Sequence, residues 1–301
     1  MNSKTKVIAR LATIASFSVL VSFCGISLAL IESAFGYNVS AAGDWACNDN
    51  TKKTVSNIVN KIPERVLGLG DYSYQSTADC WLAIVDPIDQ KMKIAIGNHD
   101  DISPSLLNQY MSHFNLSKQY YSFNYQNAHF VVLSTEQISN SSQYDFVKSD
   151  LAKASVNSNI DWIIVYMHKP LYTSPSVHPG ESTMRDTYHP LFDKYGVDIV
   201  LYGHNHAYER SYPMKYHKSN PSTPIITSAS KGSYNDPQGQ IFATVGTGGR
   251  SVYHYESESW YIVTQYEGYG FLDIDITGNK LVAKFYSNND GSVKDQFTIT
   301  K

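Results

Sequence analysis

Basic charge, cysteine and internal repetition are all scarce in this sequence. Lys and Arg number 24 against 27 Asp and Glu, for a net charge of −3. There is no cationic field to hold a polynucleotide by its phosphates, which excludes DNA or RNA as partner. No period recurs and no low-complexity linker divides the chain, so its 301 residues stand near the upper size that one hydrophobic core serves. Three cysteines, Cys24, Cys47 and Cys80, allow at most one internal bridge. Only one long uncharged apolar run occurs, residues 11–31.

That run follows Lys4, Lys6 and Arg10 and stops at Glu32. A basic head before an apolar run reads as an export signal, and the run is also long enough to span a bilayer. Ala34-Phe35-Gly36 has the small-x-small pattern of a cleavage site. Residues 1–36 are therefore expected to be a signal peptide or N-terminal membrane anchor. Residues 37–301 then form the domain, placed outside the cytoplasm and touching a membrane only through that segment. The basic excess before the run agrees with a cytoplasmic N-terminus. Cys24 lies in the run after Phe23, where a lipid-modified cysteine would follow a small residue. Cys47 and Cys80 remain, either bridged, as an oxidising compartment favours, or as two thiols of which one binds metal. A bridge would close a loop of about 33 residues, worth about 3–4 kcal/mol.

What is plentiful is tyrosine, 23 in all. Tyr120, Tyr121, Tyr202, Tyr208, Tyr212 and Tyr216 are expected as half-buried packing residues with wet hydroxyls. From residue 37 short apolar runs (37–42, 65–69, 93–96, 130–133, 162–167, 197–201) alternate with amphipathic stretches (51–62, 144–154, 184–195), an α/β layered texture. Beyond Pro221 the runs 241–245, 260–266, 270–276, 281–287 and 296–300 are divided by turns such as Asn289-Asp290-Gly291, and read as antiparallel hairpins. Two packed sheets with helices outside result.

Five short segments carry the chemistry. They are Gly43-Asp44, Gly70-Asp71-Tyr72-Ser73-Tyr74, Gly97-Asn98-His99-Asp100, Met167-His168 and Gly203-His204-Asn205-His206. Each sits at the end of an expected strand, where open α/β sheets bind ligands. Glycine before the polar residue lets the backbone turn sharply. Two Asp, one Tyr, one Asn and three His make an oxygen and imidazole donor set suited to iron, zinc or manganese. A lone Gly-Asp or a lone His is commonplace; the information lies in five such segments, each at a strand end.

This set resembles the calcineurin-like metallophosphoesterases and, within them, the purple acid phosphatases. The likeness extends over most of residues 37–301, including His206-Ala207-Tyr208-Glu209-Arg210, Gly246-x-Gly248-Gly249 and Gly268-Tyr269-Gly270-Phe271. It implies an α/β (α+β four-layer) fold, a β-sandwich of two mixed sheets flanked by helices. The general family has Asp-x-His at the first motif; here the third position is Ala46, and Tyr74 stands three residues after Asp71. That exchange is the purple acid phosphatase pattern, and a phenolate implies ferric iron and colour. The resemblance assigns a first metal, Fe(3+), to Asp44, Asp71, Tyr74 and His206. It assigns a second, divalent Zn, Fe or Mn, to Asp71, Asn98, His168 and His204, with Asp71 bridging. Two metals so placed activate a hydroxide and clamp an in-line displacement.

The implied activity is an acid phosphatase acting on phosphate monoesters, a small phosphoester being the partner; a trivalent ion fits work at mildly acidic pH. The implied catalytic residues are His99 and then His178 as the acid for the leaving group. Plant members carry two histidines side by side where this chain has Val177 and His178. Glu209 and Arg210 are expected to pair or pack behind His206. Ala46 stands where glycine is usual and would narrow the pocket. The β-domain that precedes the catalytic one in plant enzymes is expected to be missing. Alternative readings are a zinc or manganese phosphodiesterase or nucleotide hydrolase, and a non-catalytic cell-surface binding protein on the same fold. Asn38, Asn115 and Asn140 begin glycosylation sequons. The run Val245-Gly246-Thr247-Gly248-Gly249-Arg250 reads as a turn rather than a phosphate loop, since no helix signal follows.

Overall fold

The computed structural model describes residues 36–301. The apolar segment expected to be an export signal or anchor lies outside the described residues. Among those described, no helix is long and apolar enough to cross a membrane.

In chain order the elements are β1 (Tyr37–Ala42), α1 (Asp49–Val59), β2 (Arg65–Gly68), α2 (Asp79–Val85), β3 (Met92–Ile94), α3 (Pro104–His113), β4 (Tyr121–Tyr125), β5 (Ala128–Val132), α4 (Ser141–Ala154), β6 (Trp162–Tyr166), α5 (Ser182–Tyr195) and β7 (Ile199–Tyr202). Strands alone follow: β8 (Tyr208–Ser211), β9 (Met214–Lys215), β10 (Ile225–Ile226), β11 (Ser233–Asn235), β12 (Ile241–Val245), β13 (Ile262–Tyr266), β14 (Gly270–Thr277), β15 (Lys280–Ser287) and β16 (Val293–Thr300). Two seven-stranded sheets form, in the orders β11-β16-β15-β14-β1-β2-β3 and β13-β8-β12-β7-β6-β5-β4, with β9 and β10 a separate pair. Both sheets are mixed: β1, β2 and β3 run parallel while β14 joins β1 antiparallel, and β5, β6, β7 and β12 run parallel between antiparallel edges.

The period of two along each strand builds the layers. Phe130, Val132, Ile164 and Tyr166 meet Val39, Ala41, Leu67 and Leu272 between the sheets. Their neighbours Val131, Leu133, Ile163 and Val165 face outward onto Val147 and Leu151 of α4 and Met184 and Phe192 of α5. On the opposite flank Val55, Trp81 and Leu106 of α1, α2 and α3 cover Val66 and Ile94. The order helix, sheet, sheet, helix is the four-layer sandwich expected. Local signals start the helices: Asn48 accepts the Thr51 N–H, and Ser103 accepts that of Leu106 ahead of Pro104.

Several expectations are corrected. Residues 241–245 and 260–266 form no hairpins; β12 pairs parallel with β7 and antiparallel with β8, and β13 pairs with β8. Only β14, β15 and β16 make the expected meander. Tyr120, Tyr202 and Tyr208 are buried rather than half-buried. The Tyr208 hydroxyl donates to Asp295 rather than to water. The bridge expected between Cys47 and Cys80 is present, by contrast, and ties the turn after β1 to α2. Of the three sequon asparagines, Asn38 spends its amide on Lys61 O and Asp273, and Asn140 caps α4; Asn115 is the exposed one.

Candidate metal centre

The five polar segments follow the C-terminal ends of β1, β2, β3, β6 and β7. Three of these strands belong to one sheet and two to the other, so one end of the sandwich collects all five turns. The turns are tight. Asp44, Asp71, Tyr74 and His204 stand at φ of 58°, 57°, 54° and 71°, the left-handed region that costs a side chain about 1 kcal/mol or more. Ala46 stands at φ 93°, which is glycine territory, and its methyl is buried.

Hydrogen bonds outweigh this strain. Asp44, Trp45 and Ala46 donate their N–H groups to Gly70, Asp71 and Tyr72 carbonyls at 3.0, 2.9 and 2.7 Å, lacing the first two turns together. Asp100, fully buried, accepts from the Asp71, Tyr72 and Gly97 N–H groups at 2.8, 2.9 and 2.8 Å, joining the second turn to the third. Close approach does the rest: a Cβ at Gly203 would lie 2.6 Å from Asp44 Oδ2, and one at Gly97 would collide with Asp71 Oδ1.

All seven expected ligands come together, in two groups. Tyr74 Oη lies 3.2 Å from Asp44 Oδ1, 3.1 Å from Asp71 Oδ2 and 3.1 Å from His206 Nε2. Beside this group, His168 Nε2 lies 3.1 Å from Asn98 Oδ1, 3.2 Å from His204 Nδ1 and 3.4 Å from Asp71 Oδ1. Asp71 thus gives one oxygen to each group. Two of the rings are aimed from behind. His168 Nδ1 faces Leu69 O at 2.9 Å and His206 Nδ1 faces Ser251 O at 2.8 Å, so each donates away from the centre and turns Nε2 inward. Asp71, His168 and His204 hold one donor atom each within 4.8 Å of one another. Eight donor positions, two sets of four sharing one carboxylate, fit two cations.

Without metal, protons take part of that place. Burial opposes ionising Asp71, but the His168 charge holds its carboxyl well below the usual range. Burial likewise opposes protonating His168, yet Asp71 beside it raises the imidazole to about 10. His204 is pushed down to about 2 by burial and by the neighbouring histidines. Burial, Asp44 and Asp71 push the Tyr74 phenol far up, so it keeps its proton.

The two histidines expected as proton donors both flank the centre. The His99 ring lies 4.5 Å from that of Tyr74, its Nε2 is 4.0 Å from Asp71 Oδ2, and nearly half its side chain is exposed. His178 stacks on His204 with centroids 4.0 Å apart, and burial lowers its pKa. Val177 points away, 57% exposed. Glu209 and Arg210 do not pair, because adjacent residues of β8 face opposite sides. Glu209 accepts from Ser174 N–H, and Arg210 binds Asp295.

Sequence reasoning gave no role to Asp100, Arg250 or Tyr253. Asp100 was visible at the end of Gly-Asn-His-Asp. The other two sit in the turn after β12. There the Gly248 and Arg250 N–H groups are spent on Gly43 O and Asp44 O, so the run is a brace and not a phosphate cradle. The Arg250 guanidinium lies 4.5 Å over the Tyr74 ring, and Tyr253 stacks on His206 at 3.9 Å.

Residues 38–208 match the family model for calcineurin-like phosphoesterases. The chain belongs to that family. Its curated relatives narrow the likeness. It is 28% identical to purple acid phosphatase 15 of Arabidopsis thaliana, across 64% of this chain and 44% of the relative. It is also 28% identical to phosphoenolpyruvate phosphatase of Allium cepa, across 84% and 58%. A probable inactive purple acid phosphatase 1 of Arabidopsis thaliana matches at 28%, across 84% and 45%. The chain thus spans about half the length of the curated relatives it matches. Among solved structures, the purple acid phosphatase PPD1 of yellow lupin superposes with a TM-score of 0.78 at 24% identity, across 89% of this chain and 54% of that one. The shared fold is the two-sheet sandwich.

Proposed function

We propose that the chain is a purple acid phosphatase-type hydrolase of phosphate monoesters, working outside the cytoplasm with two metal ions. The observation that carries this reading is the Tyr74 hydroxyl, set 3.1–3.2 Å from Asp44, Asp71 and His206. A phenol among two carboxylates and an imidazole suits a hard trivalent ion, so Fe(3+) is assigned to Asp44, Asp71, Tyr74 and His206. A divalent Zn, Fe or Mn is assigned to Asp71, Asn98, His168 and His204. Bound there, the metals would supply Lewis acidity for the phosphoryl oxygens and acidify a water.

The chain's own residues do the remainder. Asp71 holds the two sites in register through its two oxygens. Tyr74 anchors the first site and carries His99 against its face. His99, the more exposed of the two outer histidines, is assigned the proton for the leaving oxygen. His178 is assigned contact with a non-bridging phosphoryl oxygen, beside the second site. The Cys47–Cys80 bridge supports an oxidising compartment, and residues 1–36 are the export signal or anchor that would deliver the domain, residues 37–301, to it.

The test is metal analysis with a visible spectrum on wild type and Tyr74→Phe, beside turnover of 4-nitrophenyl phosphate and its bis-ester. Two metals per chain including iron, a band lost in Tyr74→Phe, and preference for the monoester are expected. Two metals without iron or colour would replace this reading with the zinc or manganese diesterase. One relative is named as probably inactive, so turnover itself is also at stake. A chain that fills with metal yet turns over neither ester would be a binding protein on this fold.

A further inference from the structure

We propose that Asn205 is a positioning residue that fastens the segment carrying His178 to the turn carrying His204 and His206; this rests on the proposed phosphatase reading. Asn205 stands between those two histidines and is fully buried. Its Oδ1 accepts the His178 N–H at 3.2 Å, and its Nδ2 donates to the His178 carbonyl at 3.0 Å and to Thr173 Oγ1 at 3.0 Å. One amide therefore satisfies both backbone groups of one residue, as a neighbouring strand would. An amide suits this because it carries acceptor and donors side by side.

The surroundings show why such a hold matters. Pro175, Val177 and Pro179 are exposed, so the segment has little apolar anchorage at its tip. Its other ties reach residues 173–176 and not residue 178 itself: Pro175 O accepts the Glu256 N–H at 2.9 Å, the Ser176 hydroxyl donates to His254 O at 3.4 Å, Ser174 N–H donates to Glu209, and Thr173 O accepts from the Tyr261 hydroxyl. The ring of His178 nonetheless lies flat on His204, interplanar angle 25°, with Tyr253 at 5.7 Å on its other flank. Held at both N–H and C=O, residue 178 has little freedom to swing its ring off the second site. The hold comes from the ligand turn itself, so His178 keeps its place relative to His204 through any small movement of that turn.

The hydrogen bonds run to the backbone of residue 178, so His178→Ala keeps the clamp and removes only the ring. This makes a double-mutant cycle informative. In metal-loaded full chain, Asn205→Leu should lower kcat/KM for 4-nitrophenyl phosphate about tenfold to a hundredfold, the usual range for residues behind a metal site. Two metals and the visible band should remain. In the His178→Ala background the same change should cost less than about threefold. Equal losses in both backgrounds, or loss of metal, would overturn the proposal. Thr173→Val, which removes one of the three bonds, gives a milder version should Asn205→Leu not fold; its smaller loss should also vanish without the His178 ring, and a loss that persists would overturn the proposal. Hydrogen–deuterium exchange separates this from the activity itself. The His178 amide should exchange about tenfold faster in Asn205→Leu or Thr173→Val, whether or not the wild type turns over esters. Unchanged exchange would overturn the clamp even if the phosphatase reading stands.

Discussion

Removing Asp100 should undo the centre without touching a ligand. Its carboxylate is fully buried and accepts three backbone N–H groups, from Asp71, Tyr72 and Gly97, at 2.8–2.9 Å. Asp100→Ala leaves all three donors buried and unmet. At about 1–3 kcal/mol each, the loss is about 3–9 kcal/mol. A domain has about 5–15 kcal/mol in total, so this variant should unfold or nearly so. Asp100→Asn is gentler. Oδ2 serves two donors and Oδ1 one, so an amide oxygen placed at the former keeps two bonds and sets an NH2 group against the Tyr72 N–H. One bond lost and one clash made should cost about 2–3 kcal/mol. For a chain of this size that lowers Tm by about 4–12 °C. The assay is thermal unfolding with and without metal, beside metal content. Asp100→Asn should bind metal more weakly, because the Asp71 and Asn98 turns part. An Asp100→Ala protein that melts within a degree or two of wild type and holds both metals would refute the reasoning.

Metal uptake at pH 7 should release about two protons per chain, one from His168, raised to about 10 by its pairing with Asp71 against the burial that opposes it, and one from the Tyr74 phenol. Calorimetry in two buffers of different ionisation enthalpy measures this, and no release would contradict the assignment. The sign for the metal-free fold follows: the His168 contribution to stability is complete below pH 6.5 and disappears as pH rises through about 10. Replacing Cys47 and Cys80 together by serine opens a bridge across 33 residues and should cost about 3–4 kcal/mol, or about 10 °C in Tm; a shift under about 2 °C would show the bridge to be idle. Arg250→Ala removes a cation 4.5 Å from the Tyr74 ring and so raises the energy of the phenolate electrons. The visible band of the loaded protein should move to longer wavelength, and a shorter wavelength would show that the cation acts otherwise.

How legible all this is in the sequence depends on range. The strands that feed the centre show plainly, since β6 and β7 are continuous apolar runs and β1 and β2 mostly apolar ones, and their ends differ from expectation by two residues at most. Four of the seven donors, Asp44, Asp71, Asn98 and His204, show because strand, glycine and polar residue are adjacent in sequence; Tyr74 and His206 lie two or three residues further on in the same turns, and His168 follows its strand without a glycine. What hides is anything set by distant partners. β12 looks like half of a hairpin, but its neighbours β7 and β8 are decided by the sandwich. The helix α3 has local signals in Ser103-Pro104, a cap and a first-turn proline, and in Leu106 and Tyr110 one turn apart on its buried face. Glu209 and Arg210 are neighbours in sequence, but β8 sends them to opposite faces, one to Ser174 and the other to Asp295. Arg250 carries no local signal at all, since what defines it is the Tyr74 ring 176 positions earlier.

The exchange of a first-motif histidine for Tyr74 has a structural rationale here. The turns at 43–46 and 70–74 are laced by three consecutive hydrogen bonds, from Asp44, Trp45 and Ala46 to Gly70, Asp71 and Tyr72. Side chains leaving either turn therefore reach the same space. A donor missing from the first turn is replaced from the second without moving the backbone, provided the new side chain is long enough to come back over Asp71. Tyr74 does this from a left-handed residue, and Arg250 above its ring and His99 beside it leave the hydroxyl one direction to point. The cost is strain at residue 74. It is offset by the same hydrogen bonds that hold the two carboxylates, so the fold maintains one brace for the whole centre rather than one for each ligand.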